Sequence, residues 1–251
     1  MFNRHRTNAE KDAFRLLVSP YHPDTLRCPA SDVTKPSERL RHALTWNVFK
    51  TLEQIAPSLW MRPLVARCAG LPEAYNSAPQ VTMVTCWPNL EPAPSARLRR
   101  GRRRPMPVSV IIDTDDTVIT LLTPSPVDLL GGALSDTAES GLADVAEATA
   151  WLAGTRSAYV SVVLPIEADE KEWSVRVRRR AERVHRMLQA GDRPPTNVRG
   201  IGATTWYALH ELLSEVAASS FIADAEKRCA RTTADWMAQR LRRDVDYQRL
   251  A

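Results

Sequence analysis

Residues 107–124 read PVSVIIDTDDTVITLLTP. Two apolar runs rich in β-branched residues, Val108–Ile112 and Thr117–Leu122, flank an acidic step. Strand-forming residues on either side of a short polar break predict a β-hairpin. Asp115 and Asp116 suit its turn, because a short carboxylate bonds the local backbone and tolerates unusual dihedrals. Asp113, Asp115 and Asp116 also place three carboxylates within four residues, a donor set that hard cations accept. The turn reading takes precedence, since no lysine follows them in the hairpin.

Outward from the hairpin, helical and extended patterns alternate. Before it, Gln80–Trp87 (QVTMVTCW) reads as a strand, and Pro88–Pro107 as a polar connector rich in proline and arginine. Further upstream, Leu40, Leu44, Val48, Leu52 and Ile55 recur at helical spacing after Ser37, a capping residue. They predict a helix over Glu38–Ala56 that Pro57 ends, with a shorter one over Trp60–Ala69 and another over Asn8–Val18. After the hairpin come a helix over Thr137–Leu152, a fourth strand over Ala158–Leu164 (AYVSVVL) and a helix over Asp169–Ala190. Pro194 and Pro195 break the chain before a helix over Thr204–Val216, and a last one starts at Ser219 or Ser220 and runs to about Asp244. The compact solution for that order is an α/β fold, a mixed sheet flanked by helices.

Composition excludes several classes. At 251 residues, with 44% hydrophobic and 25% charged residues, the chain is of ordinary globular make-up. No apolar run approaches the ~18 residues of a membrane span. MFNRHRTNAEKDAF lacks the apolar core of a secretory signal, which predicts a cytoplasmic address. Cys28, Cys68, Cys86 and Cys229 are scattered without a C-x-x-C pair and are expected to be reduced thiols rather than zinc ligands. HELLSE at His210 is not a zinc-protease motif, because Ser214 stands where the second histidine belongs. No Gly-rich phosphate loop, nucleophile elbow or dinucleotide fingerprint is found, and no cofactor is expected.

The predicted core order, αβββαβ, resembles that of the restriction-endonuclease-like, or PD-(D/E)XK, nucleases. SERLRHALTWNVFKTLEQIAP (Ser37–Pro57) is similar to the opening helix of bacterial members, where an acidic residue precedes an A-L-T-W-N-x-F pattern. IGATTWYALHELL (Ile201–Leu213) is similar to their late tryptophan-bearing helix start. The resemblance implies a hairpin whose first strand supplies an aspartate and whose second supplies a Glu/Asp-x-Lys triplet. Those carboxylates hold divalent cations that activate water and shield the scissile phosphate. In register, the aspartate falls at Ser109, the second carboxylate at Leu122 and the lysine at Pro124. A hydroxyl is a poor magnesium ligand, leucine offers no oxygen and proline no amine. Glu38 matches a helix carboxylate that can add a ligand, and cannot hold a catalytic metal alone.

Net charge is +5, carried mostly by arginine, which favours an anionic partner without naming one. Six arginines (Arg97, Arg99, Arg100, Arg102, Arg103, Arg104) crowd into eight residues of the connector. Bidentate, permanently charged guanidinium groups at that density suit phosphate contacts. A solvated loop, or one docked on an acidic protein, would have the same composition. A second stripe, Arg176, Arg179, Arg183 and Arg186, lies at helical spacing beside a buried stripe of Val177, Ala181, Val184 and Leu188. Glu170, Glu172 and Glu182 interleave with it, so a solvated face is the plainer reading, and Arg176, Arg179 and Arg183 stand beside the connector arginines as nucleic-acid-binding candidates. Trp46, Trp173, Trp206 and Trp236 fall on helices and are expected in the core.

The expectation is a restriction-endonuclease-like domain over residues 37–217, preceded by a proline-rich segment (1–36) and followed by a helix (218–251). It has lost its catalytic residues, holds no catalytic metal, and binds nucleic acid or scaffolds a bacterial DNA-processing or anti-phage defence assembly. A protein partner or homo-oligomer is expected, and no membrane. Two rivals stand beside it. One is an active nuclease with a site moved to Glu38, Asp113, Asp115 and Asp116. The other is a protein-interaction module whose arginine loop meets an acidic subunit.

Overall fold

A computed structural model describes residues 36–69, 79, 82–94, 105–123, 136–164, 170–190 and 195–248. The expected helix at Asn8–Val18, the arginines of the connector and Pro124 lie outside these residues.

Helix α1 spans Pro36–Glu53, as the apolar spacing demands. Leu44, Val48, Phe49 and Leu52 are fully buried on it, and it packs against both the sheet and the last helix. Bonds from the Gln54 N–H to Thr51 and the Ile55 N–H to Leu52 tighten its end, and Pro57 opens a short 3-10 turn instead of continuing it. Helix α2 follows at Met61–Ala69.

The strands are β1 (Thr82–Cys86), β2 (Asn89–Leu90), β3 (Met106–Pro107), β4 (Val110–Thr114) and β5 (Thr117–Leu122). Then come α3 (Asp136–Ala153), β6 (Ser157–Leu164), α4 (Glu170–Gln189), β7 (Val198–Thr205), α5 (Trp206–Ala218) and α6 (Asp224–Gln248). A five-stranded mixed sheet runs β1-β4-β5-β6-β7, and β2 with β3 forms a separate two-stranded ribbon. The first three strands are antiparallel neighbours, while β6 and β7 each join parallel after a crossover helix.

Alternation along the strands builds two cores, one on each face of the sheet. Val110, Ile112, Ile119, Leu121, Tyr159 and Val163 meet α1, α2, α5 and α6 on one face. Ile111, Val118, Ala158 and Val160 meet α3 and α4 on the other. Ala-rich α3 lies close to the sheet, and the Thr149 hydroxyl donates to Thr120 at 2.8 Å. Helix α6 joins the first core through Ala230, Ala234, Met237 and Leu241, and its Thr233 hydroxyl meets Thr51 at 2.8 Å.

Two readings of the sequence need correction. Residues 198–205 form a strand, where only a break and a helix start were expected. Gly200 and Gly202 hide it, since a parallel strand backed by helices on both faces need not alternate. The connector is not wholly polar, because Leu90 of β2 and Met106 of β3 are buried in the second core and Ala93 is buried as well. Trp46, Trp206 and Trp236 lie in the core as expected.

Candidate functional site

The β4–β5 hairpin has two ends with different chemistry. At the turn, the Thr114 hydroxyl accepts the Thr117 N–H at 2.9 Å and lies within donating distance of Asp116 Oδ1 (2.9 Å) and the Thr117 carbonyl (3.0 Å). One buried threonine therefore organises the turn, and Asp116 is bound into it. Arg156, just past α3, donates to the Asp113 carboxylate, to the Thr114 carbonyl and back to Ala153. Asp115 points to solvent. The aspartates thus serve a turn and a clamp, and among the described residues no three His, Cys, Asp or Glu side chains gather closely enough to hold a metal ion.

Asn197 reinforces this end. Its side-chain amide donates to the carbonyls of Ala150 (2.9 Å), Gly154 (3.0 Å) and Arg156 (3.0 Å). These bonds tie the end of α3 to the residue before β7, and Gly154 sits there at φ 65°, where a residue without Cβ is at ease.

The open end carries the positions that the nuclease resemblance singles out. Ser109 precedes β4, and its hydroxyl accepts both the Thr123 N–H and the Thr123 hydroxyl at 2.8 Å. Arg41 of α1 donates to the Thr123 carbonyl, joining helix and hairpin. Leu122 does not point to this group but packs on the α3 side. The structure thus brings Ser109 together with Thr123 and Arg41, two residues the sequence reading did not select. Arg41 carries one recoverable signal, its place one helical turn after Glu38 on α1. The Glu38 side chain is outside the described residues.

Trp87 completes this end. Its N–H donates to the Ser109 carbonyl at 2.8 Å, and its φ of 54° is unusual for a bulky residue. Holding such a backbone costs roughly 1–3 kcal/mol, so the surroundings must fix it. They do so by stacking: the Trp87 ring lies on Trp46 at 5.7 Å and 7°, with the His42 ring edge-on at 5.9 Å. Beside them, Lys50 and Glu53 of α1 reach the free edge of β1. Lys50 donates to the Val84 carbonyl, and Glu53 accepts the Val84 N–H at 2.8 Å.

Cys68 is inert by its surroundings. Burial pushes its thiol up to about 12, outweighing the hydroxyls of Ser161 and Thr204 that lower it. On α4, Val184 and Leu188 are buried and Arg179, Arg183 and Arg186 exposed, the division expected from the sequence. Arg178 joins the exposed set, whereas Arg180 is buried. The side chains of Arg176 and Trp173 are outside the described residues. Among those residues, no helix is long and apolar enough to cross a membrane. Comparison with protein-family models, curated proteins and solved structures finds no match to this chain.

Proposed function

We propose that this chain is a catalytically inactive, restriction-endonuclease-like protein that binds nucleic acid or scaffolds a bacterial DNA-processing or anti-phage defence assembly. The order helix, three antiparallel strands, crossover helix, parallel strand supports that reading of the fold. One observation carries the loss of catalysis. At the first carboxylate position Ser109 bonds Thr123, whose carbonyl Arg41 fixes, and at the second Leu122 packs on the α3 side. Hydroxyls and a carbonyl lack the negative charge with which carboxylates hold a divalent cation.

The binding half rests on arginine. Described strand ends bracket the arginine-rich connector: β2 pairs with β3, and the Val108 N–H returns to Pro88 at 3.1 Å. The described base of the connector, Pro88 and Val108, therefore adjoins the open end of the hairpin. Phosphate contacts made from there position a nucleic acid without reading its sequence.

The test is incubation of the purified protein with duplex DNA, single-stranded DNA and RNA in magnesium or manganese, beside a salt-dependent binding titration. No cleavage is expected, with binding that weakens steeply as salt rises and weakens further when Arg102, Arg103 and Arg104 become alanine. Cleavage abolished by Asp113→Ala overturns the inactive reading. Absence of binding at low salt overturns the nucleic-acid half and leaves the protein-interaction module.

A further inference from the structure

The two edges of the central sheet are finished differently. On β1, the Lys50–Glu53 pair takes up both backbone groups of Val84. Side chains thus occupy hydrogen-bonding positions that another strand would need, a recognised way of protecting an edge. At the opposite edge, β7 is eight residues long, VRGIGATT, with Arg199 as its lone charge. Among the described residues, no strand or side chain bonds to its outer side. It carries no lysine, proline or acid, the usual edge guards.

We infer that β7 pairs antiparallel with β7 of a second copy, giving a twofold dimer with one continuous sheet. A second copy brings a strand of the same length with the same unguarded edge. Joining β7 to β7 leaves a β1 at each outer edge, and both are already covered by Lys50 and Glu53, so assembly closes at two. The twofold also restricts register. A residue that turns its N–H and C=O outward must oppose one that does the same, so the axis falls on a residue and not between two.

The register irregularity at Arg199 leaves Gly200–Thr205 as the regular segment, which places the axis on Gly202 or Ala203. Both are small enough for close backbone approach. In either register Arg199 lies opposite or diagonal to Thr205 of the other copy, so no like charges meet. Strand pairing alone buries less than the roughly 1,200 Å² of a standard stable interface, so the dimer is a weak, reversible one.

Sedimentation equilibrium of the full chain over the micromolar range tests this, with hydrogen exchange measured at low and high protein concentration. A reversible monomer–dimer equilibrium is expected, with amides of residues 200–205 gaining protection as the dimer fills. Thr205 caps α5 by accepting the Ala208 N–H, and aspartate caps equally well. Thr205→Asp therefore keeps the helix start while setting a carboxylate near Arg199 of the other copy. It should tighten the dimer about two- to thirtyfold through two symmetric pairs. Adding Arg199→Glu should weaken it below the parent. Circular dichroism checks that the variants fold, and the exchange experiment needs no variant. A monomer at every concentration overturns the inference. So does a dimer whose β7 amides stay unprotected, including one formed through another surface.

Discussion

The two ends of the β4–β5 hairpin are built on one plan with different groups. At each, an arginine from a neighbouring element bonds a threonine carbonyl: Arg156 to Thr114 at the turn, Arg41 to Thr123 at the open end. At each, one hydroxyl gathers the local backbone, Thr114 in the first case and Ser109 in the second. Acid makes the difference. The turn arginine also meets the Asp113 carboxylate, whereas at the open end the Arg41 guanidinium bonds the Thr123 carbonyl and the two hydroxyls bond each other. The carboxylates that attract notice in the sequence hold the turn, while the end where a nuclease works is held by neutral oxygens. Acidic residues in a short motif report chemistry only when their end of the fold is known.

The largest effect is expected where one buried group makes the most bonds. Thr114→Val keeps the shape but leaves the Thr117 N–H and Asp116 without their partner inside a buried turn. Unmet buried donors and acceptors cost about 1–3 kcal/mol. A loss of ~3 kcal/mol in urea unfolding is expected, at constant m-value. Arg156→Ala ranks next at ~2 kcal/mol, because the partly exposed Asp113 regains water when its partner goes. If both variants are silent, the turn is not the anchored end and the comparison collapses.

At the open end Ser109→Ala should cost ~1 kcal/mol, since Thr123 loses the acceptor of both its N–H and its hydroxyl. Ser109→Asp sharpens the contrast. Its carboxylate sits beside the group that bonds Arg41, and an internal ion pair should form before magnesium binds. Calorimetry with magnesium should therefore give no heat of binding for Ser109→Asp. A clear magnesium isotherm would mean that Arg41 leaves the place easily, and the proposed loss of catalysis would rest on the residue types of Ser109, Leu122 and Pro124 alone.

What was legible in the sequence was what local pattern controls. The hairpin, α1 with its apolar spacing, and β6 all follow from runs of five or more patterned residues. Strand β7 was not legible because two glycines erase its pattern, although a helix capped by Thr205 follows it at once. The bonds that give each end its character join residues far apart in the chain. Arg41 reaches Thr123, Arg156 reaches Asp113, and Lys50 reaches Val84. No spacing rule links such pairs, since the fold creates their proximity. Trp87 is similar, a strained residue whose role appears only when Trp46 and Ser109 are seen around it.

The smallest structural effect separates binding from folding. Arg179 and Arg186 lie seven apart on the exposed face of α4, away from both hairpin anchors. Converting both to alanine should move stability by less than about 0.5 kcal/mol, because exposed side chains without buried partners rarely contribute more. If α4 touches nucleic acid, the same double variant weakens binding at low salt and flattens the salt dependence by about two in the log–log slope for duplex DNA. If the slope is unchanged while the Arg102, Arg103 and Arg104 triple variant flattens it, α4 is a solvated face and the contacts come from the connector. The bonds among Ser109, Thr123 and Arg41 then bear on the shape of the hairpin end beside Pro88 and Val108, the described base of that connector.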